Sequence, residues 1–410
     1  MGANMNCIEL YAGAGGLAMG VSLAGFKPLA VVERDKWACD TIRENQQLGY
    51  PLVKDWPLHQ CDVRSFDWSL IVDSVDLIAG GPPCQPFSMG GKHLAHDDGR
   101  DMFPATVDIV RRLRPQAFLF ENVKGLTRST FANYYQYILL QFEFPEVVCR
   151  RKEGWFDHFL RLQKERASGR LHGQALTYNV VPTLVNAADY GVSQKRERVF
   201  IVGFRSDLGI EWSFPRETHS LDALLIEQWI TGEYWERHGI GRRARGPLPA
   251  QIESRVQKLR SRLIPTDELP WRTVRDAFMG LPDPESGVAK ESLDHVFQPG
   301  ARAYAGHTGS LLDQPSKTLK AGDHGVPGGE NMVIKDSGEV RYFTVRESAR
   351  LQTFPDGFRF HGSWTETMRQ LGNAVPVALA QRIAASVADK LIAARFNSII
   401  RTRLRTLGVA

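Results

Sequence analysis

Short apolar runs alternate with helix-like stretches over the first two hundred residues of the chain. The apolar runs, which predict strands, cover residues 6–10, 28–33, 75–79, 117–121, 178–185 and 198–204. The stretches between them predict helices over residues 16–24, 35–46, 101–113 and 129–142. Gly25 is placed to end the first helix, and Asp35 is placed to cap the second. Strands that alternate with helices predict an α/β fold with a doubly wound, mostly parallel sheet.

The pattern changes after residue 204. From residue 205 to 340 proline and glycine become more frequent and the helical periodicity fades, which predicts a second, loop-rich domain. Helical patterning returns over residues 345–352 and 377–395, so we expect residues 341–410 to return to the first domain. A length of 410 residues is typical of two domains. Residues 150–172 form a charged insertion to which the sequence assigns no role.

Positive charge is concentrated in one part of the second domain. Between Trp235 and Arg262 there are eight lysines and arginines against two glutamates, so this segment carries +6 in a chain whose net charge is +5. A localised basic segment indicates a polyanionic partner. The alternative interpretation is a solvated helix face.

Cysteine and histidine spacing argues against disulfides and zinc. The five cysteines form no CxxC pair, and the eleven histidines form no HxxxH or HExxH cluster. We therefore expect no metal site and a reducing, cytoplasmic location. The sequence has no apolar run of about eighteen residues and no signal-peptide pattern at its start, so we expect no membrane span and no secretion.

Ligands of doubly wound sheets bind beyond the carboxyl ends of the strands, so the residues that follow each strand are the candidates for chemistry. The turn ELYAGAGG follows the first strand, and its glycines allow a ligand to approach a helix N-terminus. Its GxGG spacing differs from the dinucleotide fingerprint, and a purely structural turn is the alternative. Glu33, after the second strand, could accept from a ribose diol. Asp62, in CDV, is a candidate for an adenine amino group, although either acid alone could be a surface residue.

A single cysteine stands in the stretch GGPPCQPFS, just after the strand at residues 75–79. The prolines around Cys84 would fix the direction of its sulfur, as a nucleophile requires. Glu121 ends the next strand, where a partly desolvated carboxyl group can donate a proton. In QKRERVF, Arg196 and Arg198 alternate along a strand, so we expect them to share a face suited to phosphate or a polar base edge.

Taken together, these motifs resemble those of the DNA (cytosine-5)-methyltransferases of bacterial and phage restriction–modification systems. The motifs that carry the resemblance are, in order, ELYAGAGG, the acid of VVERD, CDV, GGPPCQPFS, residues 100–103, ENV, QKRERVF, RESARLQTFPDGF and QLGNAVPV. They span residues 9–377 and so cover nearly the whole chain. The resemblance implies a catalytic domain with the Rossmann-like fold of class I methyltransferases over residues 1–204 and a target-recognition domain over residues 205–340.

The resemblance implies a catalytic role for four residues. Cys84 would attack C6 of cytosine, and Glu121 would bond N3 and the exocyclic amine and supply a proton to the ring. Arg198 would hold O2 of the base and orient Glu121, while Arg196 would lie beside the cysteine and a phosphate. Asn122 would brace the cysteine loop. The reaction requires the base to leave the helical stack, and the polar run at residues 88–100 would be the lid that closes over it.

S-adenosyl-L-methionine is the cofactor that the resemblance implies. The residues expected to line its site are Tyr11, Gly13, Gly15, Glu33, Asp62, Val63, Asn373 and Ala374. Arg34 would have to stack on the adenine with its guanidinium plane. The residues expected to contact DNA are Gln85, Ser88, Lys92, Gln194 and Thr318, the last within a short Thr-Leu signature.

The expected partner is double-stranded DNA, with a cognate restriction endonuclease in the same bacterial, nucleoid-associated setting and with the enzyme as a monomer. Three alternatives stay open. One branch of this family modifies tRNA, although the large basic region before Arg346 favours DNA. A catalytically silent DNA-binding homologue is disfavoured because Cys84, Glu121 and Arg198 are all present. An NAD-dependent dehydrogenase would rest on the glycine turn alone.

Overall fold

A computed structural model describes residues 5–83, 101–169, 175–261, 267–305, 308–321 and 331–406. The expected nucleophile Cys84 and the expected DNA contacts Gln85, Ser88 and Lys92 lie outside these residues. The chain divides into two compact units. The first contains the described residues up to Val185 together with Glu197–Pro215 and the chain from Ala380 onward; the second contains Asn186–Arg196 and Arg216–Leu379.

A seven-stranded sheet forms the centre of the first unit. Its strands are β1 (Met5–Leu10), β2 (Phe26–Glu33), β3 (Leu58–Gln60), β4 (Leu77–Gly80), β5 (Ala117–Val123), β6 (Tyr178–Asn186) and β7 (Glu197–Arg205). They lie in the order β3-β2-β1-β4-β5-β7-β6. The pairs from β3 through β5 are parallel, and β7 runs antiparallel to β5. The predicted mostly parallel, doubly wound α/β fold is confirmed.

Helices follow the strands of this sheet; the first four lie where the sequence predicts them, whereas α5 lies in the insertion for which the sequence predicts no element. They are α1 (Gly16–Leu23), α2 (Lys36–Gln47), α3 (Phe103–Leu113), α4 (Ala132–Glu143), α5 (Trp155–Ser168) and the long α12 (Val377–Thr406), whose first residues belong to the second unit. Asp35 caps α2 as predicted, since its carboxylate accepts a hydrogen bond from Ala38 N at 2.9 Å. None of the described helices is long and apolar enough to cross a membrane.

The chain leaves β1 toward β2 on one side and later returns to β4 on the other, so the carboxyl ends of β1 and β4 form a switch point of the sheet. The backbones approach closely there, because a Cβ added at Gly80 would lie 2.5 Å from the Leu10 carbonyl oxygen. Ile8, Leu10 and Phe118 are fully buried beneath this edge. The rigid core therefore fixes the position of the residues that follow the strands.

The second unit contains two small sheets and several short helices. Its elements are β8 (His219–Ser220), α6 (Leu221–Ile226), α7 (Glu233–Arg237), α8 (Ala250–Arg260), β9 (Leu269–Pro270), α9 (Val274–Phe278), β10 (Ser310–Leu311), β11 (Met332–Ile334), β12 (Val340–Tyr342), α10 (Val345–Leu351) and α11 (Trp364–Asn373). A buried apolar cluster, which includes Val274, Leu319, Phe343 and Leu351, lies within it.

The division between the units differs from the predicted domain boundaries. Residues 341–379 belong to the second unit, whereas we expected them to return to the first domain. The physical reason is local packing: β12 pairs with β11, and Phe343 and Leu351 join the same apolar cluster as Leu319. Only the part of α12 from Ala380 onward belongs to the first unit.

Candidate active site

The glycine turn after β1 is a close-packed structure. Tyr11, Gly13 and Gly15 all have positive φ angles, of 55°, 54° and 90°. The Gly15 N–H donates to the Ala12 carbonyl at 2.9 Å and thereby closes the turn at the start of α1. A Cβ at Gly15 would lie 2.8 Å from the Trp56 ring. A larger residue at this position would therefore clash with Trp56, and it would also disfavour the positive φ angle. Trp56 is a contact that the sequence analysis missed.

Glu33 joins the ends of β1 and β2. One carboxylate oxygen accepts from the Gly13 N–H at 2.8 Å, and the other accepts from the Asp35 N–H at 2.7 Å. The residue is only 9% exposed. Each carboxylate oxygen has a further lone pair, so Glu33 is placed to accept from two neighbouring hydroxyl groups.

Asp62 lies beyond β3 and is held by Arg64. Its carboxylate accepts from the Arg64 backbone N–H at 2.9 Å, from Nε at 2.9 Å and from Nη2 at 2.7 Å. These hydrogen bonds from Arg64 lower the pKa of Asp62, so the carboxylate is an ionised acceptor. Arg34 lies 4.0 Å away with an exposed side chain. Sequence reasoning missed Arg64, although its position two residues after the acid was a signal.

Tyr11 and Val63 complete the described part of this region. The Tyr11 hydroxyl lies 3.0 Å from the Thr106 hydroxyl and donates to the Met102 carbonyl at 3.4 Å, which ties the turn to the start of α3. Burial raises the pKa of Tyr11 well above its usual value. The buried Val63 accepts from the Trp68 indole N–H at 3.0 Å through its carbonyl group. The residues predicted from the first three motifs thus follow β1, β2 and β3 at one edge of the sheet.

The two remaining residues of the predicted cofactor set lie in the second unit. Asn373 is the last residue of α11 and is exposed. Ala374 is buried, and its carbonyl group accepts from the Gln352 side-chain amide at 3.3 Å. Their expected contact with the cofactor stays a prediction.

Glu121 and Arg198 form an ion pair at the centre of the candidate site. Arg198 Nε lies 2.9 Å from Glu121 Oε1, and the two side chains are 14% and 10% exposed. The antiparallel register of β5 and β7 places Arg198 opposite Val123, two residues beyond Glu121. Burial lowers the pKa of Arg198, whereas the neighbouring Glu121 carboxylate raises it. The pair orients the carboxyl group in a largely water-excluded place.

The turn that leads to Cys84 is fastened beside Glu121. A Cβ at Gly81 would lie 3.6 Å from Glu121 Oε2. The Asn122 side-chain amide donates to the Pro82 carbonyl at 2.9 Å, which is the bracing contact expected for Asn122. The Pro83 carbonyl accepts from the Met102 N–H at 3.4 Å. The backbone from Gly81 to Pro83, the residue before Cys84, is therefore held in place beside Glu121.

Arg196 is placed differently from the expectation. It is 1% exposed, and its guanidinium donates to the carbonyl groups of Leu319 at 3.3 Å and Gly372 at 2.9 Å within the second unit. The predicted shared face with Arg198 does not form, because β7 begins at Glu197 and the period of two does not extend to Arg196. These contacts suit a residue that positions backbone segments rather than one that presents charge to a phosphate.

Gln194, expected to contact DNA, is fully buried. Its side-chain oxygen accepts from the Leu319 N–H at 3.1 Å, and its amide donates to the Leu351 carbonyl at 3.5 Å. The expected direct contact is therefore corrected: this amide satisfies backbone groups that would otherwise be buried without partners. Thr318 is half-buried, and its hydroxyl donates to the Lys195 carbonyl at 2.7 Å.

The basic segment of the second unit is only partly available to a ligand. Arg237 pairs with Glu227 at 2.9 Å, and Arg255 pairs with Asp222 at 2.6 Å. Further internal contacts are those of Arg245 over the Trp235 ring and of Arg260 with the Trp229 carbonyl. Within the described part of this basic segment, the exposed cations without such contacts are Arg242, Arg243 and Lys258.

Comparison with known proteins identifies the family to which the chain belongs. Residues 5–145 and 172–389 match the family described as C-5 cytosine-specific DNA methylase. The chain is 30% identical to the type II methyltransferase M.PspPI of Psychrobacter sp. strain TA137, with 94% of this chain and 80% of the relative covered. It is 29% identical to M.NgoMIV of Neisseria gonorrhoeae, with 94% and 97% covered. The crystal structure of a Spodoptera frugiperda DNMT2 mutant covers 94% of this chain and 99% of its own at a TM-score of 0.55; at 18% identity this likeness shows the fold alone.

Proposed function

Since the chain belongs to the family of C-5 cytosine-specific DNA methylases and is a DNA cytosine-5 methyltransferase, we propose that it acts through a covalent bond between Cys84 and C6 of a flipped-out cytosine. The observation that carries this proposal is the Glu121–Arg198 ion pair, which lies beside the braced turn that leads to Cys84. An acid held in this way beside the turn that leads to the proposed nucleophile suits attack on an aromatic ring that must gain a proton as the bond forms.

The chain's own residues act at C6, N3, the exocyclic amine and O2 of the base. The Cys84 thiolate forms the S–C6 bond, and the electron pair of the C5–C6 double bond moves toward C5 and N3. The Glu121 carboxyl group bonds N3 and the exocyclic amine and supplies the proton. Arg198 holds O2 and keeps Glu121 in place. After C5 is methylated, water takes the C5 proton, the C5–C6 double bond is restored as the Cys84 thiolate leaves, and the N3 proton returns to the Glu121 carboxylate.

A cytosine within the duplex cannot expose C5 and C6 to a thiol and a methyl donor at the same time. We propose that the base rotates into the site, at a cost of a few kcal/mol for unstacking and unpairing. Gln85, Ser88 and Lys92 remain our candidates for contacts to the backbone around the extruded nucleotide. The free cations Arg242 and Arg243 are candidates for phosphate contacts from the second unit.

S-adenosylmethionine is the methyl donor that the residues after β1, β2 and β3 fit. Gly13 and Gly15 keep the turn free of side chains, and Glu33 retains lone pairs for the two hydroxyl groups of a ribose. Asp62, ionised beside Arg64, accepts from the adenine amino group. When bound, this cofactor supplies an electrophilic methyl group on sulfonium sulfur.

We further propose that the second unit reads a specific duplex sequence, that the enzyme acts as a monomer in the bacterial cytoplasm, and that a cognate restriction endonuclease accompanies it.

The test of the function is transfer of labelled methyl groups from S-adenosylmethionine to duplex DNA and, separately, to tRNA. We expect label in DNA, at C5 of cytosine within one sequence that bisulfite sequencing identifies. Label in tRNA alone, or on cytosine N4 or adenine N6, would contradict the proposal.

A further inference from the structure

Residues 146–171 separate the two parts of the chain that match the family. The structure describes this inserted segment through residue 169 as a tight turn followed by α5, all within the first unit. We infer that the inserted segment, residues 146–169, binds the phosphate backbone of the DNA duplex outside the target sequence. The inference rests on the proposed action on duplex DNA and adds a contact surface to it.

Three consecutive cations stand at the tip of the segment. Arg150, Arg151 and Lys152 are all exposed, and Lys164 is exposed on α5. Among the residues that the structure describes, no acid pairs with any of these four side chains. Their positive charge is therefore available to a partner.

Two acids of the segment are used in holding it together. Glu153 accepts from Arg161 Nε at 2.8 Å, from Arg161 Nη2 at 2.7 Å and from the Arg150 backbone N–H at 2.7 Å. The Arg161 guanidinium lowers the pKa of Glu153 to about 2. Glu146 pairs with Arg114 and accepts from the Leu176 N–H at 2.9 Å. The other two acids of the segment are on α5: Asp157 is exposed near its first turn, and Glu165 is half-buried.

The backbone of the tip is fixed. The Glu153 N–H donates to the Arg150 carbonyl at 3.0 Å and closes the turn. Lys152 has a φ of 70°, in the left-handed region that costs an ordinary residue on the order of 1 kcal/mol. Such a conformation persists only where its neighbours determine it, and it is most frequent at functional sites. The cations are thus presented on a rigid support, which reduces the entropy lost on binding a ligand.

The support is connected to the edge of the sheet that carries Glu121. Trp155, the first residue of α5, packs edge-on against Tyr134 with ring centroids 5.4 Å apart. The Tyr134 hydroxyl donates to the Asp101 carboxylate, and Asp101 lies at the start of α3, where Met102 bonds the Pro83 carbonyl. A rigid array of cations tied to this edge fits the polyanion that the enzyme already has to bind, a duplex that continues past the target.

The test compares a variant with a matched control. In the variant, Arg151→Gln and Lys152→Asn remove two charges, and asparagine tolerates the positive φ. In the control, Lys27→Gln and Lys54→Gln remove two exposed charges elsewhere in the first unit. The dissociation constant Kd is measured at several salt concentrations for two duplexes centred on the methylated cytosine. One duplex has about 14 base pairs and the other about 40. The longer duplex extends well past the sites read by typical recognition elements.

We expect the variant to lose affinity for the long duplex, with the slope of log Kd against log salt reduced by about 1.8, or about 0.9 for each lost phosphate contact. The short duplex and the control should show no change, and kcat should be kept. An unchanged slope, an equal loss on both duplexes, or an equal loss in the control would overturn the inference. Wild-type enzyme that binds DNA but leaves C5 unmethylated would instead contradict the proposed function.

Discussion

The Arg198 guanidinium lies 2.9 Å from the Glu121 carboxylate, on neighbouring antiparallel strands and largely shielded from water. Nearby, Lys124, the residue after the end of β5, and Glu197, the first residue of β7, form a second ion pair at 2.8 Å whose side chains are about half exposed. The chain therefore offers a functional pair and a natural control side by side. Exposed ion pairs such as Lys124–Glu197 contribute little to the free energy of folding.

Replacing Glu121, the proposed catalytic acid, should slow the chemical step without unfolding the protein. Glu121→Gln keeps the size of the side chain but removes the proton donor, so we expect kcat to fall on the order of 10²- to 10⁴-fold. Glu197→Gln, which changes only the exposed pair, should leave kcat within about twofold. Steady-state methylation of duplex DNA measures both, and equal effects of the two substitutions would contradict the role of Glu121.

Replacing the nucleophile should abolish turnover while binding is retained. Cys84→Ser keeps the shape of the side chain but exchanges the thiolate for a hydroxyl group that is a weak nucleophile at its usual pKa. We expect no detectable methylation and near wild-type affinity for DNA in a gel-shift titration. Substantial methylation by this variant would show that the sulfur is not required.

Removing the charge of Glu33 should weaken cofactor binding. Glu33→Gln loses one of the two carboxylate acceptors that hold the glycine turn and that we propose to accept from the ribose, and bonds to a charged group are worth about 1.5–3 kcal/mol. We expect S-adenosylmethionine to bind about 10- to 100-fold more weakly in calorimetry. Asp55→Asn, an exposed substitution in the same unit, serves as the control. Unchanged affinity in Glu33→Gln would place the ribose elsewhere.

The inserted segment should make stability depend on pH through His158. The His158 Nε2–H donates to the Val147 carbonyl at 2.6 Å, and Nδ1 lies 2.9 Å from the Tyr137 hydroxyl, which can donate to it when the ring is neutral. Burial lowers the pKa of His158 below 6.5, so the unfolded chain binds the proton more readily than the folded one. The contribution to stability is present above pH 6.5 and is lost as the pH falls below it.

Unfolding experiments at pH 7.5 and 5.5 can detect this dependence. We expect the free energy of unfolding of the wild type to fall between these values, and His158→Gln to be less stable at pH 7.5 but to show a smaller change with pH. His219, whose pKa is also lowered by burial, remains in both proteins and cancels in the comparison. The same pH dependence in both proteins would contradict a neutral His158.

The sequence correctly predicts those strands, caps and turns that depend on residues close together in the chain. The alternation of apolar runs identified the sheet, Asp35 caps α2, and Asn122 braces the turn before Cys84. Arg196 was misjudged because a strand boundary one residue away removed it from the face of Arg198. Gln194 was misjudged because its burial depends on Leu319 and Leu351, more than a hundred residues away in the chain.

In the inserted segment, too, the structure depends on contacts that the sequence pattern does not reveal. Its sequence is charged and gave no indication of a role, because its rigid turn depends on the Glu153–Arg161 pair and on the positive φ of Lys152. Arg64 likewise became a site residue only when its three hydrogen bonds to Asp62 were visible. Contacts of this kind form in three dimensions and leave little trace in a pattern of apolar and polar positions.

The most direct test of the covalent mechanism is the mass of the product formed with duplex DNA in which 5-fluorocytosine replaces every cytosine, in the presence of S-adenosylmethionine. Fluorine at C5 cannot leave as a proton does, so the S–C6 bond cannot be released. We predict a stable species whose mass equals protein plus DNA plus one methyl group, and its absence with Cys84→Ser. Wild-type enzyme that methylates ordinary duplex DNA but forms no such species would contradict attack by Cys84 on C6.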